Sequence, residues 1–141
     1  MLSPYYMNIK VKSTAVAIAT VSSVLSFSVP SQAGEYEYLH ELETMAKQHD
    51  VKFYLDYLSV SEKVERGKKY CEILEYASVK DIYSLFEKFG QDAFQRGYSE
   101  RKVHNLTLLE LSALYASVKG LCPEYEYKFN NLLEYSEEKQ I

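Results

Sequence analysis

The stretch TLLELSALYASVKGLC, residues 107–122, carries the strongest helical pattern of the chain. Its apolar residues recur at steps of three and four, which is the spacing of one face of an α-helix. They are Leu108, Leu111, Tyr115, Val118 and Cys122. Thr107 and Glu110 form a T-x-x-E sequence, which predicts a capping box at the start of this helix. Gly120 predicts its end.

A second helical stripe lies upstream, between residues 60 and 74. Its apolar or small residues again recur at steps of four and three, and they are Val60, Val64, Gly67, Cys71 and Leu74. Ser59 or Ser61 can cap the start of this helix. A glycine inside a helix costs up to about 1 kcal/mol relative to alanine. We therefore expect another helix to approach Gly67 closely.

The segment before this stripe predicts one clear helix and one ambiguous connection. Residues 35–49 place four apolar residues on one face, namely Leu39, Leu42, Met45 and Ala46. Glu35 and Glu37 then lie in the first turn, where the helix dipole favours negative charge. Residues 50–58 fit either a short helix or a packed connection.

The remaining segments complete a helical chain. Ser78 and Asp81 form a second capping sequence, and the helix behind them is expected to be bent or shortened at Gly90. Gly97 predicts the end of that helix, and Pro123 suits the first position of a last one. Together these patterns predict an all-α fold, a small irregular bundle of four to five helices.

The chain contains two cysteines, Cys71 and Cys122. In an exported protein an even pair predicts a disulfide. Their separation of 51 residues in sequence closes a long loop, for which the loop-entropy estimate is about 4 kcal/mol of stabilisation. No C-x-x-C motif is present, so the sequence does not favour a thiol redox centre or a zinc site.

The N-terminal part resembles a secretory signal peptide. Lys10 and Lys12 precede an apolar run of small residues, 15–27, and the small residue Ala33 marks the predicted cleavage site. Met7 is an alternative start, because the signal is complete without residues 1–6. The run is shorter than the roughly 20 apolar residues that span a bilayer.

The predicted domains are therefore a signal peptide, residues 1–33, and a single helical domain, residues 34–141. The sequence predicts a secreted or periplasmic protein with no stable membrane anchor after cleavage. Residues 34–141 hold 14 of the 16 basic residues and all 20 acidic ones, which gives a net charge of −6. This charge argues against nucleic acid and anionic lipid as partners, because both require a basic surface.

The segment GKKYCEIL, residues 67–74, is followed by Ala77, Ser78 and Ile82, and later by Cys122 and Pro123. This arrangement resembles the small secreted two-cysteine helical family filed as domain of unknown function 732. The resemblance covers roughly residues 53–123, whereas residues 90–105 are longer than the pattern and a tyrosine-rich helix continues beyond it. It implies an exported helical domain with a disulfide, and it implies no activity.

Residues with catalytic potential are few. His40 and Glu41 begin an H-E-x-x-H motif, but position 44 is a threonine, so the metal motif is incomplete. His49 lies nine residues after His40, which does not place the two on one helical face. His104 stands alone in the sequence. We predict no catalytic, cofactor-binding or metal-binding residues.

Tyrosine is unusually frequent, with twelve among residues 34–141. Tyrosine provides stiff amphipathic contact area of the kind that binding surfaces use. The candidate interaction surface consists of Tyr36, Tyr38, Tyr125, Tyr127 and Tyr135, in the first and last predicted helices. The alternative is that these rings line the rim of the core with their hydroxyl groups in water.

The sequence therefore favours an exported, non-catalytic interaction or stress-related protein with a protein or peptide partner. An acid-stress chaperone is one concrete version of this hypothesis. Two alternatives remain open: a carrier of a small apolar ligand, and a hydrolase that uses His40 or His49 with nearby carboxylates.

Overall fold

The computed structural model describes residues 29–140, and within them the fold is all-α, as predicted. Five long helices and one single-turn helix follow each other, with a 3₁₀ turn between the last two. They are α1 (Val29–Gln48), α2 (Lys52–Leu55), α3 (Val60–Tyr76), α4 (Val79–Gln95), α5 (Glu100–Gly120), the 3₁₀ turn (Pro123–Tyr125) and α6 (Glu126–Lys139).

Residues 1–28, most of the predicted signal peptide, lie outside the described residues, so the signal and its cleavage stay a prediction. The predicted cut after Ala33 falls within α1, because this helix begins at Val29. The expected helix start at Glu35 was therefore wrong. Among the described residues, no helix combines the length and apolar character needed to cross a membrane.

Helix α5 lies at the centre of the bundle. Helices α1, α3, α4 and α6 all pack against it, and α4 also packs against α6. Because neighbours surround α5, its buried residues occupy more than the one predicted stripe. Leu109, Ala113 and Leu114 are fully buried, whereas Leu108 and Tyr115 of the predicted stripe are only half-buried.

The predicted capping box at Thr107 was wrong. Helix α5 begins two turns earlier, where the Ser99 hydroxyl accepts a hydrogen bond of 3.2 Å from the amide of Lys102. Thr107 lies inside the helix and donates to the carbonyl of Val103 at 2.9 Å. Glu110 points into the core. Both residues of the motif are therefore used within the helix, and neither caps it.

The other capping predictions are confirmed. Ser59 with Glu62, and Ser78 with Asp81, form reciprocal capping boxes that start α3 and α4. Gly97 adopts a left-handed φ of 85° just beyond α4, which a glycine accepts without strain. The amides of Gly97 and Tyr98 donate to the last carbonyls of α4 in a Schellman arrangement.

Helices α1, α3 and α5 meet at a gap that Gly67 and Gly120 leave open because they have no side chains. We call this gap the glycine slot. Tyr38 of α1 is fully buried, with its backbone against Gly120 and its ring against Gly67 of α3. A Cβ atom at Gly120 would lie 2.4 Å from the Tyr38 nitrogen, and one at Gly67 would lie 2.6 Å from the Tyr38 Cζ atom. The expected close approach at Gly67 is thus confirmed, and a side chain of α1 makes it.

The predicted disulfide between Cys71 and Cys122 is present, with the two Cα atoms 5.9 Å apart. It joins the fourth turn of α3 to the residue that precedes the 3₁₀ turn. Lys128 of α6 adds a second connection, since its Nζ atom donates to the carbonyls of Leu74 and Ala77 at 2.5 and 3.0 Å. A lysine at a helix C-terminus satisfies unpaired carbonyls and complements the helix dipole.

A buried polar cluster links α1, α3 and α5. The Glu110 carboxylate is fully buried and accepts hydrogen bonds from the Arg66 guanidinium and the Tyr70 hydroxyl. The Tyr38 hydroxyl donates to the carbonyl of Lys63 at 2.6 Å. Burial raises the pKa of Tyr38 well above its usual range, despite the opposing charge of Arg66, so this hydroxyl remains a donor.

We expect Gly67→Ala and Gly90→Ala to change stability in opposite directions. Gly67→Ala forces its methyl group against the buried Tyr38 ring and should lower the free energy of unfolding by roughly 1–3 kcal/mol. At Gly90 a Cβ atom meets only Val103, at 3.9 Å. Because α4 continues to Gln95 and is not shortened at Gly90, alanine there should add up to about 1 kcal/mol.

Urea unfolding of the oxidised protein, followed by far-ultraviolet circular dichroism, measures both changes. An equal gain from both glycine substitutions would contradict the steric role of Gly67.

Removing one partner of the buried ion pair should be worse than removing both. Arg66→Met leaves the Glu110 carboxylate buried without its cation and should cost up to about 3–5 kcal/mol. Combining Arg66→Met with Glu110→Leu removes the buried charge and should recover most of that loss. The same urea titration at neutral pH tests this, and a double variant less stable than Arg66→Met would refute the explanation.

The capping boxes predict part of the acid sensitivity. The backbone amide of Ser59 donates to Glu62 at 2.7 Å and lowers the pKa of Glu62 from 4.5. Because the folded-state pKa is lowered, this stabilisation is present above pH 4.5 and is lost as the pH falls through the lowered value.

Glu62→Gln should therefore flatten the decline of unfolding free energy between pH 5 and pH 3. Urea titrations across this range measure the slope. The matched control is Glu65→Gln. Glu65 is exposed and lies beyond the first turn of the same helix, so this change should leave the slope as in the wild type.

Candidate functional site

The five tyrosines predicted to form one surface have different environments. Tyr38 is completely buried, so the prediction that it belongs to a surface was wrong. Its ring lies in the core, in the glycine slot. Tyr36 is 75% exposed on α1, and Tyr135 packs edge-on against Tyr83 with ring centres 5.2 Å apart. Tyr125 is half-buried and Tyr127 is exposed.

Tyr125 has two tyrosine neighbours, Tyr127 and Tyr76, and the sequence reasoning missed Tyr76, which is the last residue of α3. We call Tyr76, Tyr125 and Tyr127 the tyrosine face. Tyr76 and Tyr127 are 44% and 57% exposed, whereas Tyr125 is half-buried. The backbone is not helical at Ala77, directly after Tyr76, or at Cys122, shortly before Tyr125. The chain therefore changes direction at both points.

Two covalent or polar connections hold the tyrosine face in place. The disulfide brings the backbone of α3 to within 5.9 Å of the backbone before the 3₁₀ turn, between the Cα atoms of Cys71 and Cys122. Lys128, one residue beyond Tyr127, binds the carbonyls at the end of α3. Its Nζ atom also lies 5.9 Å from the centre of the Tyr125 ring. The end of α3, which carries Tyr76, is therefore connected to the segment that carries Tyr125 and Tyr127.

Carboxylates surround these rings. Burial raises the pKa of Tyr125, and the nearby carboxylates of Glu75 and Glu124 raise it further. Burial is also the largest cause of the raised pKa of Tyr76, followed by the charge of Glu75. The tyrosine face is therefore a partly apolar surface with a negative rim.

A second exposed aromatic group lies at α2. Phe53 packs edge-on against Tyr54 and Tyr57, with ring centres 5.6 and 5.1 Å apart. Phe53 and Tyr57 are largely exposed. Phe53 and Tyr54 lie on the single-turn helix and Tyr57 in the turn after it, which confirms the expectation that residues 50–58 form a short helix or a packed connection.

The two histidines of the hydrolase hypothesis lie on α1 and just after it. His40 is exposed, and its ring stacks against Tyr36 with centres 6.5 Å apart. His49 is half-buried next to Asp50, which ends α1 with a left-handed φ of 57°. Within residues 29–140, no group of three or more histidine, cysteine, aspartate or glutamate side chains could hold a metal ion.

Comparison with known proteins yields no significant match to a family model, a curated protein or a solved structure. The resemblance to domain of unknown function 732 therefore stays a prediction.

A signal for Tyr76 was present in the sequence. Residue 76 follows Cys71 by five positions, and residues 125 and 127 follow Cys122 by three and five. A bridge between the two cysteines places these positions in one region, because two short segments that leave the same crosslink cannot diverge far. Combining the predicted disulfide with the tyrosine pattern would have added Tyr76 to the candidate residues.

Proposed function

We propose that this protein is an exported, non-catalytic interaction module that binds a protein partner through the tyrosine face. The observation that carries the proposal is the exposure of aromatic rings beside a covalent crosslink. A disulfide of this kind suits an oxidising compartment, which supports export. The resemblance to a secreted two-cysteine family points the same way.

Ordering a binding surface when a partner binds costs free energy. A partner that covers a tyrosine gains a large contact area, while few side-chain rotations are lost. The backbone beneath Tyr76 and Tyr125 is already ordered by the disulfide and by Lys128, so little further ordering is needed on binding. Preorganisation of this kind raises affinity without additional contacts.

We prefer the tyrosine face to the aromatic group at α2 as the binding surface, because the tyrosine face stands on longer and crosslinked elements. Phe53 lies on a helix of four residues and Tyr57 lies in the turn after it, whereas Tyr76 ends a helix of 17 residues. The ring of His40 stacks against Tyr36, and this contact does not pair the histidine with a carboxylate as the hydrolase alternative requires. A binding role needs only the exposed, positioned rings that the tyrosine face provides.

The proposal predicts position-dependent crosslinking. A photoreactive phenylalanine analogue at position 127 or 76, in the full chain expressed in its source organism, should form a discrete adduct with a partner. The same analogue at position 36 is the matched control, because Tyr36 is even more exposed but lies on α1. Mass spectrometry of the adducts identifies the partner peptide.

The adduct at position 127 should also disappear when Tyr76 is replaced by serine in the same chain. Equal adducts from positions 36 and 127, or none from positions 76 and 127, would refute binding through the tyrosine face.

A further inference from the structure

We propose that the tyrosine face binds an extended protein segment rich in lysine and arginine. This inference rests on the proposed binding function and adds the chemical class of the partner. It combines three observations: exposed rings, carboxylates outside the ion pairs of the described residues, and the engagement of Lys119 and Lys128 in other contacts.

The two short segments that carry the three tyrosines are acidic. Residues 72–76 and 123–127 together contain four glutamates and no lysine, arginine or histidine. Glu72, Glu75 and Glu124 are exposed, and no ion pair within the described part of the chain includes them. These three carboxylates border the tyrosine face and favour an approaching cation.

Lys119 and Lys128, which flank the second of these segments in sequence, are engaged in contacts of their own. Lys119 forms an ion pair with Glu126, the fourth glutamate of the two segments. Lys128 donates to the carbonyls of Leu74 and Ala77 and is held at the end of α3. Neither lysine therefore forms an ion pair with Glu75 or Glu124, and a partner's cations can approach both carboxylates.

The rings add a second recognition element for the same groups. A lysine or arginine over the face of a tyrosine is attracted by the ring quadrupole. The protein shows this pairing internally, with Lys102 Nζ 3.9 Å from the centre of the Tyr98 ring. Tyr76 and Tyr127 are both exposed, so one cationic side chain of a partner can lie over either ring. A second cationic side chain of the same partner can then form an ion pair with Glu75 or Glu124.

A basic protein segment fits better than an apolar one. An apolar segment would bury Glu75 and Glu124 against carbon and lose their hydration without compensation. A segment of alternating lysine and small residues avoids this loss, because each buried carboxylate acquires a cation. The overall charge of −6 for residues 34–141 also attracts such a segment from a distance.

Fluorescence anisotropy with the oxidised, purified protein tests the proposal. The probes are three labelled peptides of equal length, in which glycine or serine alternates with lysine and arginine, with glutamate, or with leucine. We expect measurable binding of the basic peptide alone, weakened by about tenfold or more between low and high salt, since exposed charges are screened.

Two pairs of substitutions assign the binding to the face. Tyr76→Ser with Tyr127→Ser, and Glu75→Gln with Glu124→Gln, should each weaken the basic peptide about tenfold or more. The matched control combines Tyr36→Ser with Glu137→Gln, one residue on α1 and one about 15 Å along α6 from position 127. It should bind as the wild type does, and unchanged urea midpoints show that all variants are folded.

Binding of the leucine peptide in place of the basic one, or no effect of Glu75→Gln with Glu124→Gln, would overturn the proposed partner class. Crosslinks from position 127 to segments without lysine or arginine would do the same while leaving the binding function intact. If those crosslinks also fail to form, the proposed function fails as well. Free spermidine that competes as well as the peptide would identify a small cation as the ligand and overturn the protein partner.

Discussion

The fold depends on the close approach of α1 to α3 and α5 around Tyr38. The missing side chains of Gly67 and Gly120 create the space, and the ring of Tyr38 fills it. A backbone contact this close is possible only where no Cβ atom intervenes. The hydroxyl at the far end of the ring still reaches a carbonyl of α3, so burial leaves no unpaired donor. Tyr38 thus fixes where α1 lies against the rest of the bundle.

The candidate site depends on a different constraint, the Cys71–Cys122 bridge. It forces the end of α3 and the start of the 3₁₀ turn into one region, and Lys128 binds α6 to the same place. Tyrosines that are about fifty residues apart in sequence therefore share a surface. The glycine slot and the bridge act on opposite halves of α3. One orders the core, and the other orders the tyrosine face.

Much of the fold was predictable because its signals are local. The caps at Ser59 and Ser78 and the stop at Gly97 depend on hydrogen bonds within a few residues, and the structure confirms them. The T-x-x-E at Thr107 has the same local appearance but lies inside α5. Glu110 serves Arg66 and Tyr70, which are distant in sequence, and a local pattern carries no information about such partners.

The sequence by itself determined the helical class, most of the helix boundaries and the cysteine pair, because periodicity, caps and composition act over short distances. Only the tertiary structure decided which tyrosines are buried. Tyr36 and Tyr38 are two residues apart on one helix, yet one is exposed and the other fills the slot between α3 and α5. That difference arises from what packs against each face of α1. The packing in turn depends on glycines and a disulfide far away in the chain.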